Sequence, residues 1–140
     1  IPWGRISEGG VKRSVAAYSE GSRAFQARTH KELILRLRAM YPENKVTCSY
    51  YGMASVELWN MYEEGKLPGV KRVAKSNSVY RDGMGHAGDV LMTVAGLVWL
   101  NTIYGIDIAK VKPAKVNFKF DYKAVATKVI ALDKEHNPEK

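Results

Sequence analysis

From Leu33 onward, the apolar residues return every three or four positions. Leu33, Ile34, Leu37, Met40 and Tyr41 share one face of a helix, Arg28, Lys31 and Arg38 fall largely off it, and Pro42 stops the run. Thr29-His30-Lys31-Glu32 has the spacing of a capping box, in which the Thr29 hydroxyl takes an orphan backbone N–H and Glu32 reaches back. A second run, Met53 to Glu64, gathers Val56, Leu58, Trp59, Met61 and Tyr62 on a broad face. Gly65 follows where a left-handed cap belongs, with Pro68 beyond it. Aromatic and Met side chains at that spacing are core material before they are ligands. Val90 to Ile106 is the most apolar stretch. It is shorter than the about 20 apolar residues of a membrane span and carries Asn101 and Thr102, so it predicts a central buried helix.

Elsewhere the pattern changes period. Val46 to Tyr51 is β-branched and aromatic, either a short strand or an extended link, and is treated as a connector. Val116, Phe118, Phe120 and Tyr122 alternate with Asn117, Lys119 and Asp121, which predicts one short β element near 115–122. A helix from Tyr122 to Lys134 follows. Lys66 to Gly85 lacks a sustained apolar period and reads as a long basic loop with a helical turn. At the other end, Gly9-Gly10 and Gly21 bracket an Ala-rich stretch, Val11 to Glu20, within a segment poor in large apolar residues. The fold class expected is mainly α: a compact helical bundle over residues 29–134, an extended basic N-terminal arm over 1–28 and a polar tail over 135–140.

Charge sharpens this outline. The 140 residues carry 22 basic and 14 acidic side chains, a net charge of +8. The excess is segregated. Residues 1–47 hold nine basic against four acidic side chains, 48–65 none against three, 66–81 five against none, 82–109 none against three, and 110–140 eight against four. Such segregation points the first and third segments at an anion, and assigns the acidic segments to the core or to contacts with neighbouring copies. A solvated basic surface is the plainer alternative. One cysteine, Cys48, excludes an intramolecular disulfide framework, and with three scattered histidines it offers no zinc set. Gln occurs once, at Gln26, a scarcity of amides in keeping with a thermophilic source.

Candidate chemistry is sparse. Gly83 and Gly85 lack the GxxxxGK[ST] frame of a phosphate loop. His86 and Asp89, three apart at the start of the central helix, are placed to share a proton or a metal, or to serve only as a helix-start anion and its neighbour. The run Gly88-Asp89-Val90-Leu91-Met92-Thr93-Val94-Ala95-Gly96, closed by Gly105-Ile106-Asp107-Ile108, resembles the second half of the all-α nucleotide pyrophosphohydrolases. That resemblance implies an ExxD pair holding Mg²⁺ with an earlier ExxE pair. Asp89 matches, but His86 stands where the acid belongs, and Glu57, Glu63 and Glu64 do not give ExxE spacing. No catalytic residue, metal ligand, cofactor or small-molecule substrate is therefore assigned.

The layout as a whole carries a second resemblance. Trp3, Arg5, Lys12, Arg13, Tyr18, Arg23, Phe25 and Arg28 stud the N-terminal segment, and a compact apolar helical body follows. This looks like the major coat proteins of filamentous and rod-shaped archaeal DNA viruses. The resemblance implies helical arms that wrap linear duplex DNA in A form, bodies packed as an outer shell, and a place in the virion. The predicted strand departs from an all-helical body. A coat that covers any sequence needs phosphate contacts and no base readout. The residues expected to supply them are Arg5, Lys12, Arg13, Arg23, Arg28, Lys31, Arg36 and Arg38, with Lys71, Arg72, Lys75 and Arg81 as a second set. Duplex DNA and other copies of the chain, or of a related coat protein, are the expected partners, and contact with a membrane surface stays open. The alternative functions are a pyrophosphohydrolase-like protein and a small basic subunit of a ribonucleoprotein.

Overall fold

A computed structural model describes residues 31–49, 51–73, 78–82, 86–112 and 119–136. Four α-helices make up its regular structure: α1 (Lys31–Met40), α2 (Tyr51–Glu63), α3 (Asp89–Tyr104) and α4 (Tyr122–His136), with a 3-10 turn over Ile108–Lys110 between the last two. The expected helical body is therefore present, with helix ends within two residues of those predicted. The N-terminal segment 1–28 and the final residues 137–140 lie outside the described residues, as do the capping residue Thr29 and residues 115–118 of the predicted strand.

The core is built by α2, α3 and α4, each packed against the other two. Met53, Val56 and Leu58 of α2, Val90, Val94 and Val98 of α3, and Ala126 and Val129 of α4 are almost completely removed from water. Trp59 meets Tyr80 edge to face with ring centres 6.3 Å apart, so the aromatic and Met side chains of α2 are core as their spacing predicts. Glu57, buried on α2, accepts a hydrogen bond from Lys128 Nζ of α4 at 2.6 Å and ties the two helices at their polar seam. By contrast, α1 shares at most marginal contact with the other helices and buries Ile34 alone.

Between α2 and α3 the chain forms a strap. Gly65 ends α2 at φ 69°, a left-handed conformation that spares it the Cβ penalty, and the Lys66 N–H closes on the Met61 carbonyl at 2.7 Å. Leu67, Val73, Val79 and Tyr80 then turn inward and close the core from one side. Among the described residues of this segment, the Val70 N–H closes a turn on the Leu67 carbonyl at 3.1 Å, and an isolated antiparallel bridge joins Tyr80 to Ala87. Gly88 seats the start of α3 against the strap. Its N–H donates to the Val79 carbonyl at 2.9 Å, and a Cβ there would lie 2.2 Å from the Ser78 carbonyl oxygen.

Two expectations change. Val46 to Ser49 has no regular structure, which settles the described part of that segment as a connector. Residues 119–122 are not a strand: the Asp121 carboxylate accepts the Ala124 N–H at 3.0 Å and caps α4, so Tyr122 is buried as a first-turn helical residue. The alternation of Phe120 and Tyr122 reports two rings stacked 3.9 Å apart across a helix start rather than one face of a sheet. No helix among the described residues is long and apolar enough to cross a membrane.

Candidate nucleic-acid interface

Of the basic residues expected at phosphate, Lys31, Arg36 and Arg38 lie on α1 and Lys71, Arg72 and Arg81 on the strap. Arg5, Lys12, Arg13, Arg23, Arg28 and Lys75 lie outside the described residues. On α1, Lys31 and Arg36 are exposed, and Arg38 is half-buried because its Nε donates to the Val46 carbonyl at 3.1 Å. That bond ties the helix to the connector behind it.

The strap presents its cations differently. The Tyr62 hydroxyl donates to the Lys71 carbonyl at 3.1 Å, and the Ser78 hydroxyl donates to the carbonyls of Arg72 and Val73. The backbone is thus gripped from the core side while the Lys71 and Arg72 side chains stay exposed. Arg81 is held by its own N–H, which donates to the His86 carbonyl at 2.8 Å beside the Tyr80–Ala87 bridge. Lys71 and Arg72 are brought together by adjacency, with Arg81 further along the same strap. The α1 set stands on a helix with at most marginal contact to the other described helices.

Three other cations are ion-paired. Lys66 lies 2.8 Å from Glu64, Lys110 3.8 Å from Asp107 and Lys128 2.6 Å from Glu57. The Lys66 hydrogen bond and charge hold the Glu64 carboxyl below the usual carboxylate range. Its small, solvent-screened contribution to stability is present above that range and lost as pH falls through the lowered value. Lys31, Arg36, Lys71 and Arg81 form no ion pair among the described residues.

No protein family, curated protein or solved structure matches the chain. Charge, exposure and packing define the site.

The carboxylates do not gather. His86 is paired with Asp82, not with Asp89: its Nδ1 lies 2.6 Å from Asp82 Oδ2, and its N–H donates to Asp82 Oδ1 at 3.3 Å. Glu57 is taken by Lys128, Glu63 accepts the Trp59 indole N–H at 3.1 Å, and no group of three metal-ligating side chains occurs among the described residues. Sequence reasoning missed the Asp82–His86 contact because it depends on the chain reversing between Tyr80 and Ala87. It also missed the surface that α3 leaves uncovered. Met92, Trp99, Ile103 and Tyr104 are exposed along a helix expected to be buried all round, while Val90, Leu91, Val94 and Val98 face inward. The signal was present in Thr93 and Gly96, which interrupt the apolar run on that outer side.

Proposed function

We propose that the chain is a structural nucleic-acid-packaging protein that binds duplex DNA through phosphate contacts, without sequence specificity, and assembles with copies of itself as a viral coat does. The observation that carries this reading is the exposure of Lys31 and Arg36 on α1 and of Lys71 and Arg81 on the strap, none of them in an ion pair among the described residues, whereas Lys66, Lys110 and Lys128 are matched to carboxylates. Phosphate is the polyanion that such a surface attracts most generally, and release of its counterions drives binding to any sequence. The exposed Arg and Lys side chains are long and sit on a helix and a pinned strap, which suits positioning on a backbone rather than reading of base edges. The expected A-form wrapping by residues 1–28, and residence in the virion, belong to the same proposal.

A salt series on two unrelated linear duplexes tests it. Affinity falls steeply with salt and equally for both sequences; replacing Lys71 or Arg72 by Ala lowers the log–log salt slope by about 1 each without creating a sequence preference. A flat salt response overturns the electrostatic reading, and a strong preference for one duplex overturns packaging.

A further inference from the structure

The strap is fixed to the start of the central helix. The Gly88 N–H donates to the Val79 carbonyl and the Val90 N–H to the Ser78 carbonyl, while the Ser78 hydroxyl holds the Arg72 and Val73 carbonyls. Lys71, Arg72 and Arg81 are thus carried at the N-terminal end of α3. Other cations gather at its C-terminal end. There Gly105 closes α3 and the 3-10 turn Ile108–Lys110 follows. Lys123, in the first turn of α4, donates from Nζ to the Ala109 carbonyl at 2.7 Å, and with Lys112 it lines a groove that has no acidic residue among those described. Lys112 and Lys119 are exposed and form no ion pair among the described residues. Both nearby carboxylates are engaged: Asp107 accepts the Ala109 N–H and lies 3.8 Å from Lys110, and Asp121 accepts the Ala124 N–H.

The two ends are separate. Its 16 residues, at about 1.5 Å each, make α3 about 24 Å long, more than twice the screening length of about 10 Å at 0.1 M salt. Among the described residues no cationic path joins them across the body. After Asp89, α3 carries no charged residue, and its outward side exposes Met92, Trp99 and Ile103. On the α2 side there is no basic residue, and the helix ends in exposed Glu63 followed by exposed Glu64. On α4, Lys128 is taken by Glu57. A duplex laid from one end to the other would press its phosphates against hydrocarbon or carboxylate, losing hydration without gaining a cation.

We propose that Lys112, Lys119 and Lys123 form a second phosphate-contact surface, and that the chain bridges two duplex segments, one at each end of α3. The proposal rests on the phosphate reading of the strap and extends it from one contact to two. Lysines suit this end, because compact charges on flexible stems follow a backbone without reading its sequence. An ammonium has three donors, so Lys123 can meet an anion while it keeps its bond to the Ala109 carbonyl. A bridge of this kind holds duplex segments side by side against the repulsion of their backbones, which is what packaging demands.

Bridging is read with two short linear duplexes, one held on beads and the other fluorescent, and the full chain at rising concentration. Capture of the fluorescent duplex peaks near equal amounts of chain and duplex and falls at large excess, where every duplex carries chains of its own. Lys112→Gln with Lys119→Gln lowers peak capture about tenfold or more, while binding to a single duplex weakens about threefold at most. Both side chains are exposed, so the fold is retained, and Lys123→Gln repeats the test from within α4. Lys134→Gln with Lys140→Gln removes the same charge elsewhere and leaves capture within about twofold of wild type. A wild-type chain that binds one duplex without capturing a second overturns the inference and leaves the phosphate reading standing; a chain that binds no duplex overturns both. Capture that persists at large excess, or that the Lys112 and Lys119 substitutions leave unchanged, also overturns it and assigns the link to association between bound copies or to residues 1–30.

Discussion

Gly88 has no room for a methyl group. Its Cβ position falls 2.2 Å from the Ser78 carbonyl oxygen, which is backbone and already accepts from the Val90 N–H, so no side-chain rotation relieves the overlap. Gly88→Ala pushes the strap off the start of α3 and costs about 3 kcal/mol, read as a lowered urea midpoint. Lys128→Met is a milder lesion. It strands the carboxylate of buried Glu57 without its 2.6 Å partner, but Lys128 is itself largely exposed and solvent screens the pair, so the expected loss is about 1 kcal/mol by the same measurement. Restoring stability with Glu57→Gln in the Lys128→Met background separates the cost of the unpaired charge from that of lost packing.

The helices divide into three that make the core and one that does not. Leu58 on α2 is fully buried, and Leu58→Ala leaves a cavity costing about 2–5 kcal/mol, whereas Leu33→Ala on α1 changes stability by about 0.5 kcal/mol or less. Chemical denaturation of the two variants reads the contrast directly. Periodicity made two of these elements legible: α1 through Leu33, Leu37 and Pro42, and α2 through Val56, Trp59 and its stop at Gly65. It did not show that Leu33 and Met40 stay exposed on α1, because a helix carries the same stripe whatever covers it. Likewise Phe120 and Tyr122 alternate in a strand and across a capped helix start, and only the Asp121 carboxylate turned back on the Ala124 N–H decides between them. For the candidate site, composition exposed the surplus of cations but not their pairing. Lys128 finds Glu57 across 71 positions, a contact no local pattern contains.

At the scale of the molecule, the strap serves both the core and the proposed binding surface, whereas α1 serves the proposed surface without contributing to the core cluster. Among the described residues the buried apolar cluster runs from Met53 to Ile130, and none of its members comes from α1. Residues 1–28, in contrast, supply Arg5, Lys12, Arg13, Arg23 and Arg28 with few large apolar side chains. Stability and nucleic-acid affinity are therefore separable by truncation. A chain beginning at Thr29 keeps the helical circular dichroism and cooperative melting of the full chain, since every described residue of the core cluster lies beyond that point. It also loses those five cations, and with them about four to five units of log–log salt slope if each meets a phosphate. Melting curves and a salt series on linear duplex, run on both chains, check the two halves together. Truncation that unfolds the body would show that the segment belongs to the core, and unchanged affinity would show that α1 and the strap bind DNA without it.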